Sequence, residues 1–392
     1  MRDLKEIREE INEIDEKLIE LFKRRMECAK DVGNYKKANN IPILNQDREN
    51  EILDDVLVRG GEYGYAAQLL FSNIMELSRA LQHNIVGSGK EMKELIENSS
   101  PNIPYNKNTK VACQGIAGAN NHEATLKIFP DCEPEFCKSF KDVFMAIENG
   151  DADYGVLPVE NSTAGSVSDV YDLILKHRFY IIKSLDLPIH YYLASIPQAN
   201  LEDIEEVWSH PQALAQCSNK ITANNYKTLQ SANTAIAARD VANSKRINLA
   251  AVCNYSAVKE YGLKVLAENY ENRSDNTTRF IVISKKLYIP ENAEKISLCF
   301  GLPHVTGTLY SVLCRFSSLG LNLTKIESRT MANKPFEYLF YLDFTGNVKN
   351  DEVTKLLCAL STELPEFSFL GNYEEDLSLI HISEPTRRVV IS

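Results

Sequence analysis

Arg25 and Lys36 stand eleven residues apart in a stretch whose in-register neighbours are apolar. Leu4, Ile7, Ile11, Ile14, Leu18 and Leu21 follow alternating spacings of three and four, the stripe of an amphipathic helix, and Arg25 takes the next position in it. A cation on a packing face needs an anionic partner, because burying it unpaired costs several kcal/mol. Eleven residues are about three helical turns, so Arg25 and Lys36 point the same way with roughly 16 Å of axis between them. Two long side chains at that separation can converge on one small anion. Arg8 lies roughly 25 Å before Arg25 along the same axis at about 1.5 Å per residue, rotated to a neighbouring face. It is out of reach of that anion within its own helix, so a role at a similar site requires a second subunit packed antiparallel.

Further along stand Asn45, Arg48 and Glu49, then Ser78 and Gln82 one helical turn apart and therefore on one face. Together these supply cations for carboxylates, a neutral amide donor, a hydroxyl, and one carboxylate able to accept from a substrate hydroxyl. No nucleophile and base accompany them. Such an inventory suits a reaction driven by orientation and charge stabilisation. A second chemical region begins at Pro158, where PVENSTAGSVSDVYD follows an expected strand and precedes a helix; a turn at a strand's carboxyl end presents backbone N–H groups to an anion. Gly115 and Gly118 in CQGIAGANNHEA form another loop of this kind. Neither a GxGxxG fingerprint nor a Walker A motif is present, which disfavours nicotinamide chemistry.

The elements that carry these residues fall into three groups. Residues 2 to 85 read as three helices: one ending near Asn39, one capped by Asp47 and running to about Arg59, and one from about Tyr63 to Ile85. Three such helices bury little alone, which favours a dimer. A polar, Pro-containing stretch, 87–108, reads as a linker. From Thr109 short apolar runs alternate with helical segments, the pattern of an α/β domain with a mainly parallel sheet. Expected strands are 110–113, 154–159, 179–185, 248–253 and 279–284, with helices near 139–149, 168–176, 210–220 and 233–244. Residues 295 to 373 read as βαββαβ, a ferredoxin-like order. The tail 376–392 continues no pattern and is excluded from fold reasoning as disordered or artefactual.

With 392 residues, 44% hydrophobic and 25% charged, the composition is that of a multidomain globular protein. A net charge of -11 argues against sequence-independent nucleic-acid binding, whereas local basic sites in an acidic chain fit small anionic substrates. Nine cysteines without a CxxC pair or metal-ligand spacing read as reduced thiols of a cytoplasmic protein. No apolar stretch approaches the length of a membrane span.

Residues 1–86 resemble the all-helical chorismate mutase family through IREEINEID, RRMECAKDVGNYKK, QDRE and ELSRALQ. The resemblance implies a dimeric enzyme that rearranges chorismate to prephenate. Arg25 and a partner's Arg8 would hold the carboxylates, and Lys36 and Gln82 would donate to the ether oxygen. Glu49 would accept from the ring hydroxyl, while Asn45, Arg48 and Ser78 would help bind substrate. Asn45 departs from the acidic residue more usual there. Residues 109–286 resemble prephenate dehydratase through PVENSTAG, SHPQALAQC, NTAIAA and NTTRF with the glycine loop. That family has two α/β lobes of the periplasmic-binding-protein type, with the active site in the cleft. It implies Thr278 as the essential hydroxyl, donating to the departing oxygen, and Asn161, Ser162, Thr163 and Arg279 as substrate-binding, with Glu160 orienting the loop. His210 is a tempting general acid near neutrality, but the HPQ turn points to a structural use. Asn120, Asn121 and Ala164 depart from the family pattern. Residues 294–373 resemble the regulatory ACT domain through Gly307, Thr308 and Leu309 and through Glu327, Ser328 and Arg329, with Thr330 in place of a proline. There phenylalanine binds between two such domains and inhibits. The order of the three segments is that of bifunctional chorismate mutase/prephenate dehydratases, which implies no metal or organic cofactor. An amino-acid-sensing protein with a decayed dehydratase cleft is the alternative.

Overall fold

The structure, a computed structural model, describes residues 2–304, 307–330 and 337–376. Its first helix, α1 (Leu4–Asn39), runs 36 residues and stops where Asn40 turns left-handed and closes its N–H on the Lys36 carbonyl. Two more helices, α2 (Gln46–Arg59) and α3 (Gly64–Val86), pack against each other, and α1 packs against α3. The cap of α2 is Asn45, not the expected Asp47: its side-chain oxygen accepts from the Arg48 N–H at 3.0 Å. A Cβ at Gly33 would stand 3.3 Å from Gln82 Cγ, so this glycine lets α1 and α3 close together beside Gln82. The stretch expected as a linker is helical in part. Its helix α4 (Lys90–Glu97) buries Met92, and Gly89 before it sits where a Cβ would lie 2.5 Å from the Cys358 Cα.

Two sheets follow. In chain order the elements are β1 (Val111–Gln114), α5 (Asn120–Ile128), β2 (Pro134–Cys137), α6 (Phe140–Asn149), β3 (Tyr154–Asn161), β4 (Gly165–Ser166), α7 (Ser168–His177), β5 (Tyr180–Pro188), β6 (Tyr192–Ser195), β7 (Glu206–Ser209), α8 (Pro211–Gln216), α9 (Ser218–Ala223), β8 (Lys227–Gln230), α10 (Thr234–Ser244), β9 (Leu249–Cys253), α11 (Tyr255–Glu260), β10 (Lys264–Ala267) and β11 (Thr277–Ser284). One lobe carries the order β5-β11-β3-β1-β2, the other β10-β6-β9-β7-β8. The chain leaves the first lobe after β5 and returns at β11. The sheets are mixed, correcting the expectation of a mainly parallel one: β1 pairs parallel with β2 and β3, but β11 runs antiparallel to both β3 and β5, and β6 runs antiparallel to β9 and β10. A strand that re-enters a sheet from another lobe arrives without the helical crossover that parallel pairing requires.

The C-terminal elements are β12 (Lys295–Leu302), α12 (Thr308–Ser318), β13 (Leu323–Thr330), β14 (Tyr338–Thr345), α13 (Asp351–Glu363) and β15 (Ser368–Asp376). The βαββαβ order is thus present, with β14 antiparallel to both β12 and β13. The end of β15 pairs parallel with β5, Glu374 opposite Lys183, so Asp376 closes a strand instead of opening a tail; 377–392 lie outside the described residues.

The chain divides into two compact units, the described parts of Met1–Ser99 with Lys295–Phe369, and of Ser100–Glu294 with Leu370–Ser392. The helices and the βαββα segment, expected as separate domains, therefore share one unit. Among the described residues no helix is long and apolar enough to cross a membrane.

Candidate active sites

In the helical segment, Arg25, Lys36, Glu49, Ser78 and Gln82 come together. Arg25 donates to the Ser78 hydroxyl at 2.8 Å and Lys36 to the Ile43 carbonyl at 2.5 Å, which steadies both cations while leaving further N–H donors available. Burial pushes both below their ordinary values, and Glu49 works the other way on each, which places its carboxylate within their field. Ser78 and Gln82 are buried, and among the described residues the Gln82 Oε1 has no hydrogen-bond partner. Asn45 spends its side chain on the helix cap, which fits an amide where a carboxylate is more usual. Arg48 points elsewhere, pairing with exposed Glu51 at 2.8 Å. Arg8 is exposed on α1. The apolar stripe before Arg25 is also uncovered, with Ile14 48% and Leu21 57% exposed. The sequence reading missed Arg79, which is buried between Glu49 and Glu76.

The second site is a cavity of about 330 Å³ between the two lobes, lined by Gln114, Asn120, Asn121, Asn161, His210, Gln212, Asn233, Thr234, Thr278 and Phe280 among others. Thr278 and Asn161 face each other across β11 and β3, and the Asn161 Nδ2 donates to the Thr278 Oγ1 at 2.9 Å and to the Asn276 Oδ1 at 2.8 Å. The Asn161 Oδ1 accepts from the Thr163 and Ala164 N–H groups at 3.1 and 3.0 Å. This one carboxamide thus shapes the loop and orients the hydroxyl.

None of the described residues lining the cavity is Lys, Arg, Asp or Glu. Positive potential comes from backbone instead. The first turns of α5 (Asn120 and Asn121) and α10 (Asn233 and Thr234) open onto the cavity, joined by the short α8 at Gln212. Asn233 caps α10 through the Ile236 N–H at 2.7 Å, while α5 has no side-chain cap and so keeps its first N–H groups open. Gly118 holds a φ of +80°, and a Cβ there would lie 2.8 Å from the Ala257 Cα, so the loop before α5 requires glycine. Asn120 accepts from Asn254 at 2.8 Å, which joins that loop to α11 of the other lobe.

Four residues expected at this site, Glu160, Ser162, Thr163 and Arg279, lie off the cavity lining. Ser162 is used within the loop, donating to the Asp275 carbonyl at 3.0 Å and accepting the Thr277 N–H at 3.0 Å. Thr163 donates to Asn161 at 2.7 Å. Arg279, next to Thr278 on β11, turns to the opposite face as strand alternation demands. There it holds Asp186 at 2.8 Å, Glu375 at 3.6 Å and Glu160 at 3.9 Å. Burial opposes its charge, but Asp186 and Glu375 outweigh burial and keep the guanidinium protonated. His210 caps α8, its Nδ1 accepting from the Gln212 N–H at 3.3 Å. Burial lowers its pKa, so the ring is neutral near pH 7 with its proton on Nε2, as a structural cap requires.

In the C-terminal segment, Leu302, Tyr338 and Thr330 lie at one level of the sheet. Glu327, Ser328 and Arg329 therefore sit at the end from which Gly307, Thr308 and Leu309 start α12. Gly307 has a φ of 88° and Thr308 donates to the Pro303 carbonyl at 3.1 Å.

Comparison with known proteins agrees with this division. Residues 7–83 match the family model for chorismate mutase type II and residues 111–287 that for prephenate dehydratase. The bifunctional chorismate mutase/prephenate dehydratase of Aquifex aeolicus (strain VF5) is 33% identical over 96% of this chain and 99% of its own. The chain belongs to the bifunctional chorismate mutase/prephenate dehydratase family. Its helical segment is a chorismate mutase and its two-lobed segment a prephenate dehydratase. The dehydratase part is also 36% identical to arogenate dehydratase/prephenate dehydratase 1, chloroplastic, of Arabidopsis thaliana, over 68% of this chain and 72% of that one. The solved structure of prephenate dehydratase from Arthrobacter aurescens in complex with L-Phe is 29% identical, with a TM-score of 0.63 over 68% of this chain and 89% of that chain.

Proposed function

We propose that the two sites act in sequence, the mutase converting chorismate to prephenate and the dehydratase converting prephenate to phenylpyruvate, with phenylalanine as the inhibitor. The observation that carries this is the pairing, on one chain, of the Arg25–Lys36–Glu49–Gln82 cluster with the Asn161–Thr278 cavity.

In the mutase, the rearrangement needs no proton transfer, so the site has only to fold the substrate and follow its charge. Arg25 takes one carboxylate. Lys36 and the Gln82 Nε2 donate to the ether oxygen as its bond to carbon breaks, where negative charge grows. Glu49 accepts from the ring hydroxyl. The second carboxylate goes to Arg8 of a second copy of the chain, whose α1 would cover the exposed stripe from Leu4 to Leu21. Arg48 and Asn45 act from the rim, Arg48 through its charge and Asn45 by holding the start of α2.

In the dehydratase, the two carboxylates of prephenate lie against the N-termini of α5 and α10. As one carboxylate departs as carbon dioxide, its bonding electrons enter the ring and the ring hydroxyl leaves with a proton as water. The Thr278 hydroxyl already accepts from Asn161, so its own hydrogen is free to be donated to that leaving oxygen. A threonine is a weak acid, so as it donates its own proton to the leaving oxygen it takes another from solvent water, relaying the proton that makes the departing hydroxyl water. Ser162, Thr163, Glu160 and Arg279 support the loop and β11 without touching substrate.

The C-terminal segment is read as an ACT domain that binds phenylalanine near Gly307–Leu309 and Glu327–Arg329 at a subunit interface, in a cytoplasmic homo-oligomer. The L-Phe complex of the Arthrobacter relative supports the phenylalanine part of this reading. The direct test supplies prephenate to the purified protein with and without phenylalanine, then chorismate to Gln82→Ala. Phenylpyruvate formation that phenylalanine suppresses, together with loss of chorismate turnover alone in Gln82→Ala, is the expected result. A folded protein that leaves prephenate unchanged contradicts it.

A further inference from the structure

Arg79 is 7% exposed and shares its guanidinium among three carboxylates. It donates to Glu49 of α2 and Glu76 of α3, and its Nε lies 3.8 Å from Glu363 at the end of α13. Arg315 of α12 closes a ring: its Nε donates to Glu76 at 2.8 Å and its Nη2 to Glu363. Ser311 also donates to Glu76, and the His83 ring contacts Glu363. Two arginines and two glutamates in this buried ring balance one another. Glu49 is the one further carboxylate, and it faces the cations of the mutase site. A carboxylate free to rotate there would pair with Arg25 or Lys36 and neutralise the charges needed for substrate.

Resting on the reading of Glu49 as acceptor for the ring hydroxyl, we infer that Arg79 is a positioning residue for the chorismate rearrangement, aiming Glu49, and that Arg315 and Glu363 of the C-terminal segment fix Arg79 in turn. Breaking one partner of a buried charge network leaves the others uncompensated, so the ring keeps a single geometry. The mutase site of this chain is thus completed by a segment some 230 to 290 residues later in sequence.

The test measures chorismate and prephenate turnover separately on the full chain. Arg79→Gln is expected to lower mutase kcat about 10- to 100-fold, with a smaller change in KM, as for a misaimed group. Prephenate turnover should stay within about twofold, since its site shares no partner with Arg79. In the Glu49→Gln background, Arg79→Gln should cost less than about twofold more, because it acts through Glu49. Glu363→Gln should give a smaller, mutase-selective loss. If Arg79→Gln does not accumulate, Arg79→Lys serves: it keeps the charge but cannot span three carboxylates, so mutase kcat should still fall. Equal losses of both activities, an equal factor in both backgrounds, or unchanged mutase kcat overturns the inference. Unchanged turnover in Glu49→Gln alone overturns the reading of Glu49 and the inference with it.

Discussion

The Asn161 carboxamide and the Thr278 hydroxyl meet at 2.9 Å across neighbouring antiparallel strands, with the amide donating and the hydroxyl accepting. The hydroxyl hydrogen is thereby left for the cavity. Because the lining carries no Lys or Arg among the described residues, a new negative charge there has no side-chain cation to pair with and competes with the substrate for the helix N-termini. Asn161→Asp should therefore lower kcat/KM for prephenate about 100- to 1000-fold, through both repulsion of the dianion and loss of the amide donor. Steady-state kinetics would check this, and chorismate turnover should be unchanged.

In the proposed dimer each α1 covers its partner's exposed stripe and supplies Arg8 to the partner's mutase site. Arg8→Ala and Gln82→Ala should each lose mutase activity. Coexpressed, they should recover about a quarter of the wild-type value, because half the dimers are mixed and each mixed dimer rebuilds one intact site. No recovery in isolated mixed dimers would place Arg8 outside the partner's site.

Leu18, 52% exposed in the single chain, lies mid-stripe. Leu18→Asp should weaken self-association and abolish the mutase while leaving the helical content of the chain largely intact. Sedimentation velocity and circular dichroism would report the two effects separately.

Glu363 makes stability depend on acid. Burial alone would raise its pKa, but the His83 hydrogen bond with the charges of Arg315, Arg79 and His83 outweighs burial and pushes it down from 4.5 to about 2. A folded-state value below the unfolded one stabilises the protein above the unfolded value, and that stability is lost as pH falls toward the folded one. The stability gap between wild type and Glu363→Gln should be full above pH about 5 and shrink between about 4.5 and 2. Urea unfolding at a series of pH values would show it; a gap constant down to about pH 3 would contradict it.

Much of this arrangement is legible in the residues themselves. The apolar stripe locates α1, and Asn161 and Thr278 stand out because hydroxyl and amide side chains cluster in short motifs. What sequence hides is whatever the backbone supplies or distant segments share. The anion site proposed for the dehydratase rests on the N–H groups of α5 and α10, which leave no side-chain signature. Arg79 looks like an ordinary helical cation until Glu363, far away in sequence, is placed beside it. Arg279 belongs to a motif, yet strand alternation turns it from the cavity that Thr278 faces. The unanticipated strands β2, β6, β7, β8 and β10 have four residues each, too few for a period to show, and α4 hides in a polar stretch because only Met92, Leu95 and Ile96 pack.

The central claim is that one chain performs two consecutive steps at separate sites, the second depending on the Thr278 hydroxyl. Thr278→Val keeps the shape of that side chain and removes the hydroxyl. Given chorismate, the purified variant should consume it at the wild-type rate and accumulate prephenate, with phenylpyruvate formation reduced at least about 100-fold. Phenylpyruvate appearing at the wild-type rate would contradict the account.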